Sequence, residues 1–546
     1  MSNSSVSNNS VAHSDDLSVP GRVDAAARGG EPLHGGSGPD GAVPAPPPMA
    51  WREVGAVVLI AAIVTVFTAC RYHLFGDELY FVAAGRHPAW SYADQGPMIP
   101  LLARLGDVMP GHTLLGFRFV GVILTVAAVL IAALTARELG GGRAAQVLTA
   151  VACATSPILV QWGALLCTNC VDTPIWTTVT WLMVRWVRTR SDRLLLAAGV
   201  LTAIDMQDKW LIPLLWVGIG VGCLAYGPRE LLRRPLLWVG GAITVASTIP
   251  GVVWQAQHGW PQLKLTGVVA YEDGFVGGRW ILIPAAISGA GILGAILLVY
   301  GAWRLARSQF LRRYRFVLVA AVVVVAAVVI SGGRATYPSG LFAVLIAAGA
   351  VEATRGGARR WARWAVTPVV VASMALVSAT IPYKPADTVT VPTTIYPVAV
   401  NMAVYGQFGW PGLSREVEGA IAALPPDRRP RAIVTDFYWT SSALEYYGRD
   451  ALPPVYSYNR GYYYFGRPAG SAVVLWIGDR DDLTRPRAAC AEMTRIGTVG
   501  GDLPGVVARQ LVMHHIGFPV SSAGLALVLC TPRAPWAQTW PTLDKI

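Results

Sequence analysis

Apolar residues in this chain gather into long runs separated by short polar loops. The runs fall at about 53–70, 114–136, 145–163, 172–187, 194–208, 210–226, 236–254, 280–303, 316–331, 339–353 and 364–381. At about 1.5 Å per residue, a helix near 20 residues long crosses the roughly 30 Å hydrocarbon core of a bilayer. The pattern therefore predicts a polytopic α-helical membrane protein with about eleven transmembrane helices. Basic residues confirm a rhythm. Arg137 and Arg143, then Arg185 to Arg193, Arg229 to Arg234, Arg304 to Arg315, and Arg355 to Arg363 occupy alternate loops. The intervening loops hold little besides Lys209, Lys264 and Arg334. Positive charge marks the cytoplasmic face. The N-terminus is thus expected in the cytoplasm, and everything after about 382 outside the cell membrane.

Three segments break the pattern. Residues 1–50 are rich in Ser, Asn, Gly and Pro and read as a disordered cytoplasmic tail. Residues 51–381 form the membrane domain, and its first outer loop, 71–113, mixes apolar and charged positions as short interfacial helices do. Residues 382–546 carry strand-like runs at Ala432–Thr435 and Ala472–Trp476, a helix-like stretch at Leu413–Leu424 and an apolar run at Gly524–Cys530. That alternation predicts an extracytoplasmic α/β domain.

Composition narrows the class. Of 546 residues, 53% are hydrophobic and only 14% charged, against about 25% charged in soluble domains. The formal net charge of +12 resides mostly in the short loops, so it signals topology and no nucleic-acid partner is expected. Cys70, Cys153, Cys167, Cys170 and Cys223 lie in or beside apolar runs and read as small core residues. Cys490 and Cys530 are the two cysteines of the outer domain, where disulfides persist, and are expected to pair.

Candidate chemistry collects at the outer ends of the helices. Asp77 and Glu78 follow the first run at once, in Phe75-Gly-Asp-Glu-Leu-Tyr80. Carboxylates beside a bilayer are costly unless solvated, paired or used, although acids also suit a helix N-terminus. Asp94 follows in Tyr92-Ala-Asp-Gln-Gly-Pro97, where Gly96 permits close backbone approach. One of these acids could serve as a general base, and the other could orient an acceptor or bind a cation. Asp172 opens a run, either as a cap before Pro174 or as a functional acid. Asp205, Asp208 and Lys209 flank another, and Lys209 could hold a phosphate. His258 stands in Trp254-Gln-Ala-Gln-His-Gly-Trp-Pro261. Arg334 and Tyr337 share the turn Ser331-Gly-Gly-Arg-Ala-Thr-Tyr-Pro338, and a lone outer Arg suits an anion.

Gly76-Asp-Glu-Leu-Tyr-Phe81, Gly85-Arg-His-Pro-Ala-Trp90 and Asp94-Gln-Gly-Pro97 resemble the first outer loop of the bacterial dolichyl-phosphate-mannose-protein mannosyltransferase-like family. This is glycosyltransferase family 39, of GT-C type, and the loop is also similar to that of the aminoarabinose transferases of lipid A. Trp254–Pro261, Gly332-Gly-Arg-Ala-Thr-Tyr337 and Pro535-Trp-Ala-Gln-Thr-Trp-Pro541 add to the likeness. The resemblance implies a polyprenyl-phosphate-linked sugar as donor and an extracytoplasmic protein, lipid or cell-wall glycan as acceptor. It implies Asp77 as catalytic base, with Glu78 and Asp94 completing the catalytic set. Arg334, Tyr337, Lys209 and His258 would bind the donor phosphate. Tyr80, Arg86, Gln95 and Asp172 would contact or support the acceptor. A divalent cation held by Asp77 and Asp94 is the one cofactor this set suggests. Gln95 stands where some members carry Lys, and Arg334 where Lys is usual. Other GT-C classes, such as arabinofuranosyl or oligosaccharyl transferases, are the nearest rivals. A polyprenyl-lipid transporter or flippase would need ionisable residues at mid-membrane, and the runs carry few.

Overall fold

A computed structural model describes residues 45–109, 111, 113–274, 277–355, 360–389, 401–479, 482–499 and 524–543. Residues 45–546 form one compact unit. The predicted tail lies outside the described residues except at its end. There the chain is packed, not free: Arg137 Nε donates to the Pro47 carbonyl (2.8 Å) and the Ala50 N–H to Gln146 Oε1 (2.9 Å).

Each of the eleven predicted runs contains helix. The first is α1 (Trp51–Ala69), and the loop after it folds into α2 (Gly76–Arg86) and α3 (Met98–Val108). Then come α4 (Leu114–Glu138), α5 (Arg143–Ala154), α6 (Pro157–Gly163), α7 (Thr168–Thr189), α8 (Arg193–Asp205) and α9 (Ile212–Tyr226). They are followed by α10 (Pro235–Gln257), α11 (Pro261–Gly274), α12 (Gly278–Gly289), α13 (Gly291–Arg307), α14 (Arg315–Ser331), α15 (Phe342–Thr354) and α16 (Arg360–Ser378).

The count of eleven spans does not carry over directly. Among the described residues five helices are long and apolar enough to cross a membrane, or seven if each bent pair is one span. The bent pairs are α5–α6, at 56°, and α12–α13, at 109°. Both break beside residues that end helices: Ser156-Pro157 caps α6, and Gly291 takes φ +79°. Helix α8 has 13 residues, about 20 Å of rise, well short of the hydrocarbon core. Helix α10 turns Trp238, Val245 and Ile249 outward, whereas α15 is buried almost all round.

The five Arg-rich loops meet at one end of the bundle. Glu138 pairs with Arg188 (2.6 Å) and Arg185 (3.7 Å), and the Tyr314 hydroxyl donates to its carbonyl (3.4 Å). Arg190 pairs with Glu230 (2.6 Å), Arg234 with Asp192 (3.6 Å), and Arg355 lies 3.9 Å over the Phe310 ring. Alternate loops therefore share an end, as the charge pattern requires.

Beyond the bundle stand α17 (Trp410–Ala422) and α18 (Tyr438–Tyr447), packed with a five-stranded mixed sheet. Its strands are β1 (Ala432–Thr435), β2 (Val455–Ser457), β3 (Val474–Asp479), β4 (Cys490–Val499) and β5 (Leu525–Pro532), in the order β2-β1-β3-β5-β4. Strand β1 runs parallel to β2 and β3, and β5 antiparallel to β3 and β4. Strands β1 and β3 are buried throughout, which accounts for their unbroken apolar sequence. Strand β4 is largely exposed and lacks such a run, so its sequence hides it. Cys490 and Cys530 form a disulfide with Cα atoms 5.5 Å apart.

The ion pairs at the Arg-rich end differ in worth. Glu352 is 3% exposed and accepts from Arg304 (2.6 Å) and Ser308 (2.6 Å), whereas the Arg190–Glu230 pair is nearly half exposed. Glu352→Ala should lose about 2 kcal/mol or more and Glu230→Ala less than about 1 kcal/mol. Thermal unfolding of both variants in one detergent measures the difference, and equal losses would remove the distinction.

Candidate active site

The site grows from the turn into α2. Glu78, in the first turn, is fully buried and takes four donors. Arg118 of α4 reaches it twice, Nε to Oε1 (2.8 Å) and an Nη to Oε2 (2.7 Å). The Leu166 N–H donates to Oε1 (2.8 Å) and the Phe75 N–H to Oε2 (2.8 Å). The other Arg118 donors take the carbonyls of Ala69 (2.8 Å) and His73 (2.9 Å). Both members of the pair are 0% exposed. Glu78 was expected in the catalytic set, but its oxygens are already engaged, and it acts as a counter-ion that positions α2. Losing Arg118 alone would strand a buried charge, at a cost of about 3–5 kcal/mol.

That anchoring presents Asp77, the preceding residue, on the other side of the turn. Asp77 Oδ1 accepts from the Tyr438 hydroxyl (2.7 Å) and from Trp439 Nε1 (2.6 Å). No described residue bonds its second oxygen, Oδ2, and the side chain is partly exposed. Tyr438 and Trp439 open α18, immediately beyond the carboxyl end of β1. Ligands of α/β sheets collect at such strand ends.

Asp94 lies nearby. Its Oδ1 accepts from the Tyr80 hydroxyl (2.8 Å), and the rings of Tyr80 and Tyr438 meet edge to face at 5.1 Å. Burial raises the Asp94 carboxyl to about 6, with Asp77 adding to the effect and Arg460 and the Tyr80 bond opposing it. Burial, and then the adjacent carboxylates, hold the Tyr80 and Tyr438 phenols well above their ordinary range, so both remain donors. Arg460 spans this ground. Its guanidinium lies 5.1 Å over the Tyr438 ring and bonds Glu272 of α11. Burial opposes its charge, and Glu272, Tyr438 and Asp94 more than offset that.

Arg334 joins from the opposite side, at 3.0 Å from Glu272 and 3.9 Å from Asp273. Lys209 lies 4.1 Å over the Tyr337 ring and donates to Asn169 Oδ1 (3.3 Å). The Tyr337 N–H donates to the Arg334 carbonyl (3.1 Å). Three of the four residues expected at the donor phosphate thus stand together. His258 does not join them. It stacks on Trp254 at 4.0 Å, with Nδ1 tied to the Trp254 carbonyl (2.7 Å).

The expected acceptor group is also dispersed. Tyr80 serves Asp94. Arg86 pairs with Asp107 (3.2 Å) and Glu445 (3.3 Å). Gln95 is buried, and its Nε2 has no partner among the described residues. Asp172 packs with Asp205 and Asp208 beside Lys209, and several of their oxygens lack partners among the described residues. Gly96 sits where any Cβ would collide with the Gln207 carbonyl, and its N–H donates to Asp208 O (2.9 Å).

Asp77 and Asp94 do not make a ready cation site. One oxygen of each is occupied by phenol or indole donors, and no group of three or more His, Cys, Asp or Glu among the described residues is placed to hold a metal ion.

Sequence reasoning missed Arg118, Tyr438, Trp439, Arg460 and Glu272. Arg118 carried a signal, as a lone charge inside an apolar run. The others lie far along the chain with no spacing to mark them, and Tyr438, Trp439 and Arg460 sit in aromatic-rich stretches.

Comparison with known proteins agrees with this architecture. Residues 94–254 match the sequence model of the family described as Dolichyl-phosphate-mannose-protein mannosyltransferase. ArnT from Cupriavidus metallidurans in its apo state superposes over 91% of this chain and 99% of its own, at 12% identity and TM-score 0.57. This chain has the GT-C fold. The same ArnT bound to undecaprenyl phosphate covers 91% of the GT-C chain and 100% of its own, at 13% identity and TM-score 0.57. The arabinofuranosyltransferase AftD from Mycobacteria covers 90% of this chain and 40% of its own, at 16% identity and TM-score 0.49. No curated protein matches the sequence.

The raised Asp94 carboxyl has a consequence for stability. In the unfolded chain an Asp titrates near about 3.9. Between that value and about 6 the folded protein binds the extra proton, so stability falls as pH rises through this window. Asp94→Asn should therefore gain in melting temperature over the wild type from pH 4 to 7 and then level off. A constant difference across that range would contradict the burial effect.

Proposed function

We propose that this GT-C protein is a membrane glycosyltransferase that moves a sugar from a polyprenyl-phosphate carrier to an extracytoplasmic acceptor, with Asp77 as general base. The carrying observation is the setting of Asp77: one oxygen held by Tyr438 and Trp439, the other open. The GT-C fold, the family match at 94–254 and the undecaprenyl phosphate in ArnT support the reading.

In this reading the acceptor hydroxyl attacks the anomeric carbon and gives its proton to Asp77 Oδ2. The bond from that carbon to the phosphate oxygen breaks, and the electron pair leaves with the phosphate. Lys209 and Arg334 would meet the developing charge, and fixed donors need no reorganisation to do so. The cations enter as neighbours of Tyr337. No metal enters the scheme. The protein would span the cell membrane several times, its Arg-rich end in the cytoplasm and its sheet outside.

Asp77→Asn keeps size and both donor contacts but removes the base. Transfer from an undecaprenyl-phosphate-linked sugar by the purified protein should fall about 10²–10⁴-fold while the melting temperature is retained. Wild-type turnover in the variant would remove Asp77 from this role.

A further inference from the structure

A cavity of about 370 Å3 opens beside Asp94, between the end of α2, the end of α10 and the segment Arg460–Phe465. We infer that it is the subsite for a neutral sugar ring of the acceptor, so that the acceptor of this enzyme is a carbohydrate hydroxyl. The inference rests on the reading of the site as glycosyl transfer.

Two stacked pairs line the cavity. Trp254 and His258 lie 4.0 Å apart at 14°, and His87 and Phe465 lie 4.8 Å apart at 2°. Tyr464 stands edge-on to the first pair, at 5.6 Å from Trp254 and 5.5 Å from His258. Aromatic faces carry negative charge density and attract the weakly positive C–H face of a sugar. Pockets that take small polar ligands combine such walls with a few polar groups.

The polar groups suit hydroxyls rather than a phosphate. His87 Nδ1 lies 3.0 Å from the Ala83 carbonyl, and His258 Nδ1 lies 2.7 Å from the Trp254 carbonyl. A carbonyl only accepts, so each Nδ1 donates, and no described residue bonds either Nε2. The one arginine in the wall, Arg86, is already shared between Asp107 and Glu445. The cavity therefore offers no uncompensated guanidinium to a phosphate.

Gly461 joins the cavity to the catalytic acids. It lines the pocket, and a Cβ built there would overlap the Tyr80 hydroxyl and lie 3.5 Å from Asp94 Oδ1. A ring in the pocket thus touches a glycine that itself packs against Tyr80 and Asp94. Arg460, the residue before, turns the other way toward Glu272 and Arg334. The backbone at Arg460, in the left-handed region at φ +52°, divides the cation side from the aromatic side.

The test is saturation-transfer NMR on the full-length protein in detergent, with the methyl glycosides of mannose, glucose, galactose and arabinose as probes. Binding of undecaprenyl phosphate is measured in parallel. At least one glycoside should receive saturation from the wild type. Trp254→Leu should weaken that binding about tenfold, while Trp254→Tyr restores it and undecaprenyl phosphate binds all three proteins alike. His258→Ala gives a second loss if Trp254→Leu fails to fold. No transfer to any glycoside, transfer indifferent to both substitutions, or displacement of the glycoside by inorganic phosphate would overturn the subsite. Failure of the wild type to bind undecaprenyl phosphate, with glycoside binding intact, would instead strike the transferase reading.

Discussion

The Glu78–Arg118 ion pair is the constraint on which the rest of this structure depends. It ties the first turn of α2 to the start of α4, with both side chains sealed from solvent. A pair so buried is tolerable only because its remaining valences are met, here by the Phe75 and Leu166 N–H groups and by the carbonyls of Ala69 and His73. It also fixes orientation. Adjacent residues on a helix point about 100° apart, so holding Glu78 inward commits Asp77 to another direction. Two neighbouring acids thus divide their work, one locking the loop and the other, in the proposed mechanism, facing the reaction space.

That space belongs to neither the bundle nor the sheet alone. Asp77 comes from α2 and its two donors from α18, 361 and 362 residues further along. Arg460 follows β2, and Glu272 lies on α11. The sheet matters because β1 delivers Phe437–Trp439 to the mouth of the bundle, and Asp436 secures that corner by accepting from Trp476 Nε1 (2.6 Å). A rigid strand end and an anchored helix start together hold the Asp77 carboxylate in place.

Charge is arranged in the same economical way. Arg334 and Arg460 converge on Glu272, while Lys209 lies among Asp172, Asp205 and Asp208. The aromatic cavity, by contrast, holds its arginine neutralised and its imidazoles anchored. In the proposed reading one side of Arg460 faces the donor phosphate and the other an uncharged polyol, and a single backbone turn separates them.

Much of this was legible in the sequence, and the reasons are local. Apolar run length marked the helices, because a bilayer demands continuous hydrophobicity. The alternation of arginines marked which loops share an end, because charge crosses lipid at high cost. The pairing of Cys490 with Cys530 could likewise be read directly. What the sequence could not decide was allocation. It presented Glu78 as a catalytic support for Asp77, placed His258 with the phosphate group, and was silent on Tyr438, Trp439 and Arg460. Those roles follow from contacts between residues hundreds of positions apart. Periodicity reports only which face of an element is apolar, whereas the partner of a buried charge is settled by how the elements pack.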